Sequence, residues 1–275
     1  MKTITKIGLG CLGAAGAWCA LLRPRRSQPG WEKLASVKYA HRGLHDAALG
    51  IPENSMAAFS RAIERGFGAE LDVHLMADGN LAVVHDSSLR RVCGADVCIE
   101  DLTAAELGNY PLMGTAETIP LFGEVLELFE GKTPLVIELK VERGNYVPLT
   151  DAVMKALEGW GGAYCVESFH PAALLRLREK YPNVLRGQLG QNFMRGSEVG
   201  NLAMPARFVL THLLTTGLTR PDFISYKWED RKEPSLRLMR ALYGVHEVGW
   251  TVREEETMDA LARDGVVPIF ENFIP

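Results

Sequence analysis

The feature that most constrains this chain is a gap too short to hold a helix. Strand-like runs at 37–40, 69–73, 81–85, 135–139, 164–167, 184–189, 223–226, 247–251 and 267–270 alternate with helical patterns at 55–65, 121–129, 149–158, 171–180, 234–243 and 254–263. Such alternation predicts a mainly parallel sheet with helices outside, because parallel neighbours need a crossover of a dozen or more residues. Between Val73 and Leu81 no crossover fits, and Asp78-Gly79 there signals a hairpin. Setting 81–85 aside as the return arm leaves eight strands, the number that closes a (β/α)8 TIM barrel. A doubly wound open sheet is the competing arrangement, but no strand is followed by G-x-G-x-x-G. Residues 87–120 lack a strand pattern and read as a small insertion over one barrel end.

Several helix starts have a physical cause. Asn54 or Ser55 can cap the first, Pro171 suits a first-turn position, and Glu254, Glu255 and Glu256 favour the positive end of the last.

The chemistry begins in Glu70-Leu71-Asp72-Val73-His74. Residues two apart on a strand share a face, so Glu70, Asp72 and His74 point the same way. Three ionisable groups on one buried face are costly unless paired or bound to a metal. If the hairpin turns on Asp78-Gly79, opposing positions sum to about 157, which sets His85 across from Asp72 and adds a partner to the group. Glu138 and Lys140 end the strand at 135–139, again on one face, and His41 and Arg42 end the first. In a (β/α)8 barrel the C-terminal strand ends meet in one site. Carboxylates suit a hard divalent cation such as Mg²⁺ or Ca²⁺. Arg and Lys suit a phosphate oxyanion, and two histidines suit paired acid and base work. For any single residue a salt bridge alone, Glu138–Lys140 or Glu70–Arg42, is the favoured explanation; seven such groups together favour a site. His74 lines the site or faces the barrel wall, Trp250 is core or a wall for substrate, and His45, His170 and His246 lie outside the constellation.

The N-terminus reads differently. Ile7 to Leu22 carries no charge and is flanked by Lys2 and Lys6 before and by Arg23, Arg25 and Arg26 after. As a helix it spans roughly 24 Å against a bilayer core of about 30 Å, a deficit that thinning and snorkelling can cover. The expectation is therefore an uncleaved single-pass anchor over 1–26, a linker at 27–36 and a barrel domain at 37–275. A cleaved signal sequence, with Ala15-Gly16-Ala17 as the cut site, is the alternative. The arginines after the span favour a cytoplasmic catalytic domain at the cell membrane. The net charge of -4 argues against nucleic acid as a partner. Of the five cysteines, only Cys93 and Cys98 are close, and no second pair completes a zinc site; free thiols are expected.

At these residues the sequence resembles the glycerophosphodiester phosphodiesterase family. The matching runs are His41-Arg42-Gly43, Pro52-Glu53-Asn54-Ser55, Glu70-Leu71-Asp72-Val73, Asp78-Gly79, Val83-Val84-His85-Asp86, Ile137-Glu138-Leu139-Lys140, Ser168-Phe169 and Trp250-Thr251-Val252. The resemblance implies a (β/α)8 barrel with a small insertion and a divalent cation on Glu70, Asp72 and Glu138. It implies His41 and His85 as the acid/base pair, with Arg42 and Lys140 on the phosphate and Asn54 and Trp250 as further substrate contacts. It also implies cleavage of a glycerophosphodiester to sn-glycerol 3-phosphate and an alcohol. The sequence departs from the family at its end, where Pro268-Ile269-Phe270-Glu271-Asn272 replaces a Gly-Ile-Ile-Thr-Asp-like strand. Two other readings are carried: lysophospholipase D-like cleavage of single-chain lipids, and a non-catalytic membrane-bound binding protein. The intact His41, His85, Glu70, Asp72 and Glu138 argue against the last.

Overall fold

A computed structural model of the chain describes residues 16–26, 30–195 and 202–275. The strands are β1 (Tyr39–Ala40), β2 (Gly68–Leu75), β3 (Leu81–Val83), β4 (Leu135–Leu139), β5 (Tyr164–Ser168), β6 (Arg186–Gly190), β7 (Phe223–Lys227), β8 (His246–Val252) and β9 (Val267–Phe270). They run in the order β1-β9-β8-β7-β6-β5-β4-β2-β3, and β1 also pairs with β2. That last pairing closes a ring of parallel strands, while β3 returns antiparallel on β2. The expected TIM barrel is the observed fold.

Strand parity explains where the site sits. Ala69, Leu71 and Val73 alternate outward and pack with Phe59, Phe122 and Phe129 of the surrounding helices. The opposite parity faces the barrel interior and changes character along each strand. Tyr39, Val136 and Cys165 belong to an apolar interior cluster with Phe223 and Val248. Two residues further on, His41, Glu138 and Glu167 line the mouth. The lower barrel is thus packed like a core and the ionisable groups gather at the C-terminal end. Gly187 belongs to that packing, since a Cβ there would lie 2.2 Å from the Phe223 ring.

The hairpin differs from the expected register by one residue. Val73 opposes Val83 and His74 opposes Ala82, so Asp72 meets Val84, whose N–H donates to the Asp72 carbonyl at 3.1 Å. The cause is the turn. Met76 bonds to the Asn80 carbonyl at 2.9 Å and Gly79 back to Met76 at 3.1 Å, which makes a three-residue loop with Gly79 left-handed at φ 84. His85 lies beyond the end of β3 and reaches the mouth from a bend, not from the ladder.

The insertion at 87–120 is made of short turns and the helix α3 (Arg90–Cys93), as α1 is Trp31–Ala35 and α2 Met56–Glu64 earlier in the chain. Leu89, Val92, Ile99, Leu102 and Leu107 give it a small core against Met76, Ala82 and Val84 of the hairpin.

Two N-terminal expectations meet structure. Residues 31–36, read as linker, instead include α1, whose Trp31 and Leu34 are buried against the interior cluster. Two apolar side chains three apart on one turn are enough to dock a helix this short. Residues 7–15 of the apolar stretch lie outside the described residues. Residues 16–21 are helical and pack on the barrel flank. Trp18 Nε1 donates to Ser235 at 3.2 Å, the Tyr243 hydroxyl donates to the Cys19 carbonyl at 2.7 Å, and Leu22 is fully buried with Leu213, Ile224 and Tyr226. Among the described residues no helix is long and apolar enough to cross a membrane. Cys19, Cys93, Cys98 and Cys165 are free thiols.

Burial of Leu22 has a measurable consequence. Losing a buried leucine costs roughly 2–5 kcal/mol, and a domain of this size shifts by about 2–4 °C per kcal/mol. A chain starting at residue 27 is therefore expected to melt about 10 °C below one starting at residue 16. Equal melting temperatures would show that this segment adds nothing to the barrel.

Candidate active site

The barrel mouth opens on a cavity of about 470 Å³ lined by His41, Arg42, Glu70, His85, Glu138 and Trp250. Its floor is acidic. Carboxylate oxygens of Glu70, Asp72 and Glu138 lie within 4.8 Å of one another, and all three residues are buried. Asp72 and Glu138 are register partners on β2 and β4, and Glu70 stands two residues below Asp72 on the same face.

Their charges are unevenly supported. Burial, then the charges of Asp72 and Glu138, pushes the Glu70 carboxyl well above its usual range. Burial also raises Glu138, although Lys140 opposes it. Asp72 moves the other way, because Lys140, His85 and Arg42 together outweigh its burial. Lys140 Nζ sits 3.0 Å from Glu138 Oε1 and 3.1 Å from Asp72 Oδ1. Glu70 Oε2 accepts from the Arg42 backbone N–H at 3.1 Å. A buried cluster of hard oxygen donors whose mutual repulsion is relieved by positive charge fits a divalent cation. Glu70, Asp72 and Glu138 are the residues that would hold it.

The loop after β1 shapes the side opposite Lys140. Arg42 and Asn54 both adopt left-handed backbone, at φ 54 and 53, and the Asn54 N–H donates to the Arg42 carbonyl at 2.8 Å. The Arg42 guanidinium bonds to Glu53 at 2.8 Å, with its Nε 3.6 Å from Asp72 Oδ2. Asn54 is buried and donates its side-chain amide to Asp72 Oδ2 at 2.9 Å. It stands beside the acidic floor and orients one carboxylate there. Trp250 lines the cavity edge-on to Phe169, with ring centroids 5.7 Å apart.

Each of the two mouth histidines has Nδ1 against a carboxylate. His41 Nδ1 is 2.5 Å from Glu271 Oε2, while its Nε2 lies 3.9 Å from Glu70 Oε2. His85 Nδ1 is 2.6 Å from Asp86 Oδ1. A carboxylate at Nδ1 fixes the ring and leaves Nε2 as the nitrogen that exchanges a proton with a substrate. Burial lowers the His41 pKa most, and the bond to Glu271 works against it. Glu271 is held far below the usual carboxylate range despite burial, by His41, His45 and Arg253.

The seven groups expected at strand ends thus come together. His74 does not join the acidic floor: its Nδ1 is 2.6 Å from Glu100 Oε1 and its Nε2 3.2 Å from the His85 carbonyl. His45, expected outside the constellation, stands 3.9 Å from Glu271. Asp86 and Glu53 appeared only inside matched runs, and Glu271 only as a divergence. Its place at the end of the last strand was the available signal, since barrel strand ends converge. Arg91 and Arg253 carried no signal, because Glu53 and Glu271, which they hold, are 38 and 18 positions away.

Glu53 supplies a pH prediction. Burial raises its carboxyl, but bonds and charges of Arg91 and Arg42 outweigh that and lower it to about 2. A carboxylate depressed on folding stabilises above its unfolded value and loses that contribution as pH falls through the folded one. Its contribution is on the order of 2–3 kcal/mol. Unfolding curves from pH 6 down to 2 should show the wild type losing this stability while Glu53→Gln, weaker at pH 6, converges on it. Parallel curves would contradict the pairing.

Buried carboxylates that could hold a cation, with histidines, an arginine and a lysine at the C-terminal mouth of a closed barrel, fit the class of barrel hydrolases that act on phosphodiesters. Residues 41–275 match the glycerophosphoryl diester phosphodiesterase family, and the chain belongs to that family. It is an enzyme of that family, a phosphoric diester hydrolase. A glycerophosphodiester phosphodiesterase of Caldanaerobacter subterraneus subsp. tengcongensis is 30% identical over 251 residues, covering 84% of this chain and 100% of that one. A lysophospholipase D of Rattus norvegicus is 34% identical over 162 residues, covering 52% of this chain and 49% of that one. The fold matches that of an Oleispira antarctica phosphodiesterase solved with sn-glycerol-3-phosphate, with a TM-score of 0.70 at 22% identity over 87% of this chain and 94% of that chain.

Proposed function

We propose that this protein hydrolyses glycerophosphodiesters to sn-glycerol 3-phosphate and an alcohol, with a divalent cation on Glu70, Asp72 and Glu138 and with His41 and His85 as the acid/base pair. The observation that carries the reading is the buried carboxylate triad beside two histidines whose Nδ1 atoms face carboxylates. When bound, Mg²⁺ or Ca²⁺ would neutralise charge on the phosphate. Arg42 and Lys140 add positive charge around the same oxygens. One histidine removes the proton of the attacking oxygen through Nε2, and the other delivers a proton to the departing alkoxide. Attack by water gives sn-glycerol 3-phosphate directly, whereas attack by a glycerol hydroxyl gives a cyclic phosphate that water then opens with the two histidines exchanging roles. Asn54 keeps Asp72 in place, and Trp250 offers a flat wall for the glycerol portion.

The test is release of sn-glycerol 3-phosphate from glycerophosphocholine by metal-stripped full-length protein, with and without added Mg²⁺ or Ca²⁺. Cation-dependent release supports reaction and cofactor together; no release under either condition sinks the reading.

A second substrate reading is favoured by one feature. Beside the mouth, and sharing Glu138 and Phe169 with it, an apolar recess of about 510 Å³ is lined by Leu139, Val141, Phe193, Val209 and Leu210. Its size and lining suit an acyl chain, as a lysophospholipase D substrate would require. Comparing kcat/KM for glycerophosphocholine and lysophosphatidylcholine decides between them. The membrane attachment is likewise a proposal that rests on the sequence of residues 7–22, and partition of the full chain onto liposomes tests it.

A further inference from the structure

The acid/base histidine and the phosphate-side arginine are joined by a residue that touches neither. Arg91, on α3 at the start of the insertion, donates from Nε to Asp86 Oδ2 at 2.5 Å. Its Nη1 and Nη2 donate to the two oxygens of Glu53 at 2.9 and 2.7 Å. Asp86 is the carboxylate on His85 Nδ1, and Glu53 is the one that receives Arg42. Arg42, Glu53, Arg91, Asp86 and His85 therefore form one continuous chain in which every link is charge-assisted. The contacting atoms of Arg91 are a planar fork holding two carboxylates in fixed relation, which an ammonium cannot reproduce.

Packing fixes the backbone from which the fork extends, while the Arg91 side chain itself is 46% exposed. Val92, the next residue, is buried in the insertion's own core, so the root of the Arg91 side chain follows from how residues 87–120 fold, and Asp86 and Glu53 place its guanidinium. The backbone of His85 has a separate tie through His74 and Glu100, and Ser87 donates to Glu100 at 2.6 Å. Arg90 beside it reaches outward, to exposed Asp96 at 3.0 Å.

We propose that Arg91 is a positioning residue that sets the His85 ring and the Arg42 guanidinium in one geometry, so that the insertion completes the active site and does more than cover it. This rests on the reading of His85 and Arg42 given above. Aligning supports of this type are worth about 10–100-fold in activity.

The test uses the full-length protein with ¹⁵N-labelled histidine, His85→Ala serving to assign the His85 signals. In Arg91→Ala the His85 Nδ1 and Nε2 shifts are expected to move toward each other as the ring loses its fixed tautomer, and in Arg90→Ala to stay put. Turnover of glycerophosphocholine by Arg91→Ala is expected to fall at least about tenfold, with KM raised through Arg42, and both to recover in part on adding millimolar guanidinium. Arg91→Lys, which keeps charge but not the fork, is the variant to read if Arg91→Ala does not fold, and the same imidazole change is expected in it. Unchanged His85 signals in a folded Arg91 variant would overturn the proposal, whether or not the wild type is active. Wild-type inactivity would overturn the functional reading instead, and the imidazole signals would still decide the role of Arg91.

Discussion

Replacing His41 or His85 by alanine is expected to lower kcat by about 10²–10⁴-fold each, the usual worth of a positioned proton donor or acceptor. Cation binding is expected to survive in both variants. The reason is spatial: the proposed cation ligands are the oxygens of Glu70, Asp72 and Glu138, which could hold a cation without either ring. His41 and His85 come from different strand ends and are each held by a different carboxylate. The double variant should nevertheless fall little further than the worse single one, because one proton transfer without the other does not complete the reaction. Full turnover in either single variant would remove that histidine from the mechanism. A variant that also loses cation-induced stabilisation would show that the two functions are not divided in this way.

The second expectation concerns Glu70 and opposes stability to activity. Burial and the neighbouring Asp72 and Glu138 charges raise the Glu70 carboxyl in the folded chain. For an acid raised on folding, the folded state holds its proton longer than the unfolded one, so stability falls as pH rises from the unfolded value through the folded one. Cation-free protein at neutral pH lies above the unfolded value, where that cost is already incurred. Glu70→Gln removes the cost, and the cation-free variant is expected to melt above the cation-free wild type. Adding Mg²⁺ or Ca²⁺ should reverse the order, since a ligand that binds only the folded state stabilises it by mass action, and the variant has lost a ligand. Turnover in Glu70→Gln should be lost even at high cation concentration. Melting curves of both proteins in chelator and in each cation test it; a variant less stable than wild type in chelator would refute the account of Glu70 as a repelled carboxylate.

Much of this was legible in the chain itself because it depends on local rules. Alternation of strand and helix, a hairpin gap too short for a crossover and the parity of β2 placed Glu70 and Asp72 on one face and counted eight strands to a ring. Motif residues at strand ends then named His41, Arg42, His85, Glu138 and Lys140 before any contact was known. Where local rules were pushed further they slipped. A three-residue turn moved the hairpin register by one, so that Asp72 faces Val84, and His85 arrives by a bend. α1, read as part of a linker, is packed against the barrel interior.

The chain by itself determined the barrel and the meeting of Glu70, Glu138, His41 and His85 at its mouth, because periodicity and strand parity are set within a few residues. Only the tertiary structure decided which carboxylate orients His41 and which arginine holds Glu53. Glu271 meets His41 across 230 positions and Arg91 meets Glu53 across 38. No short-range pattern encodes such partnerships; they exist because ring closure brings the last strand beside the first, and because the insertion folds back over the mouth.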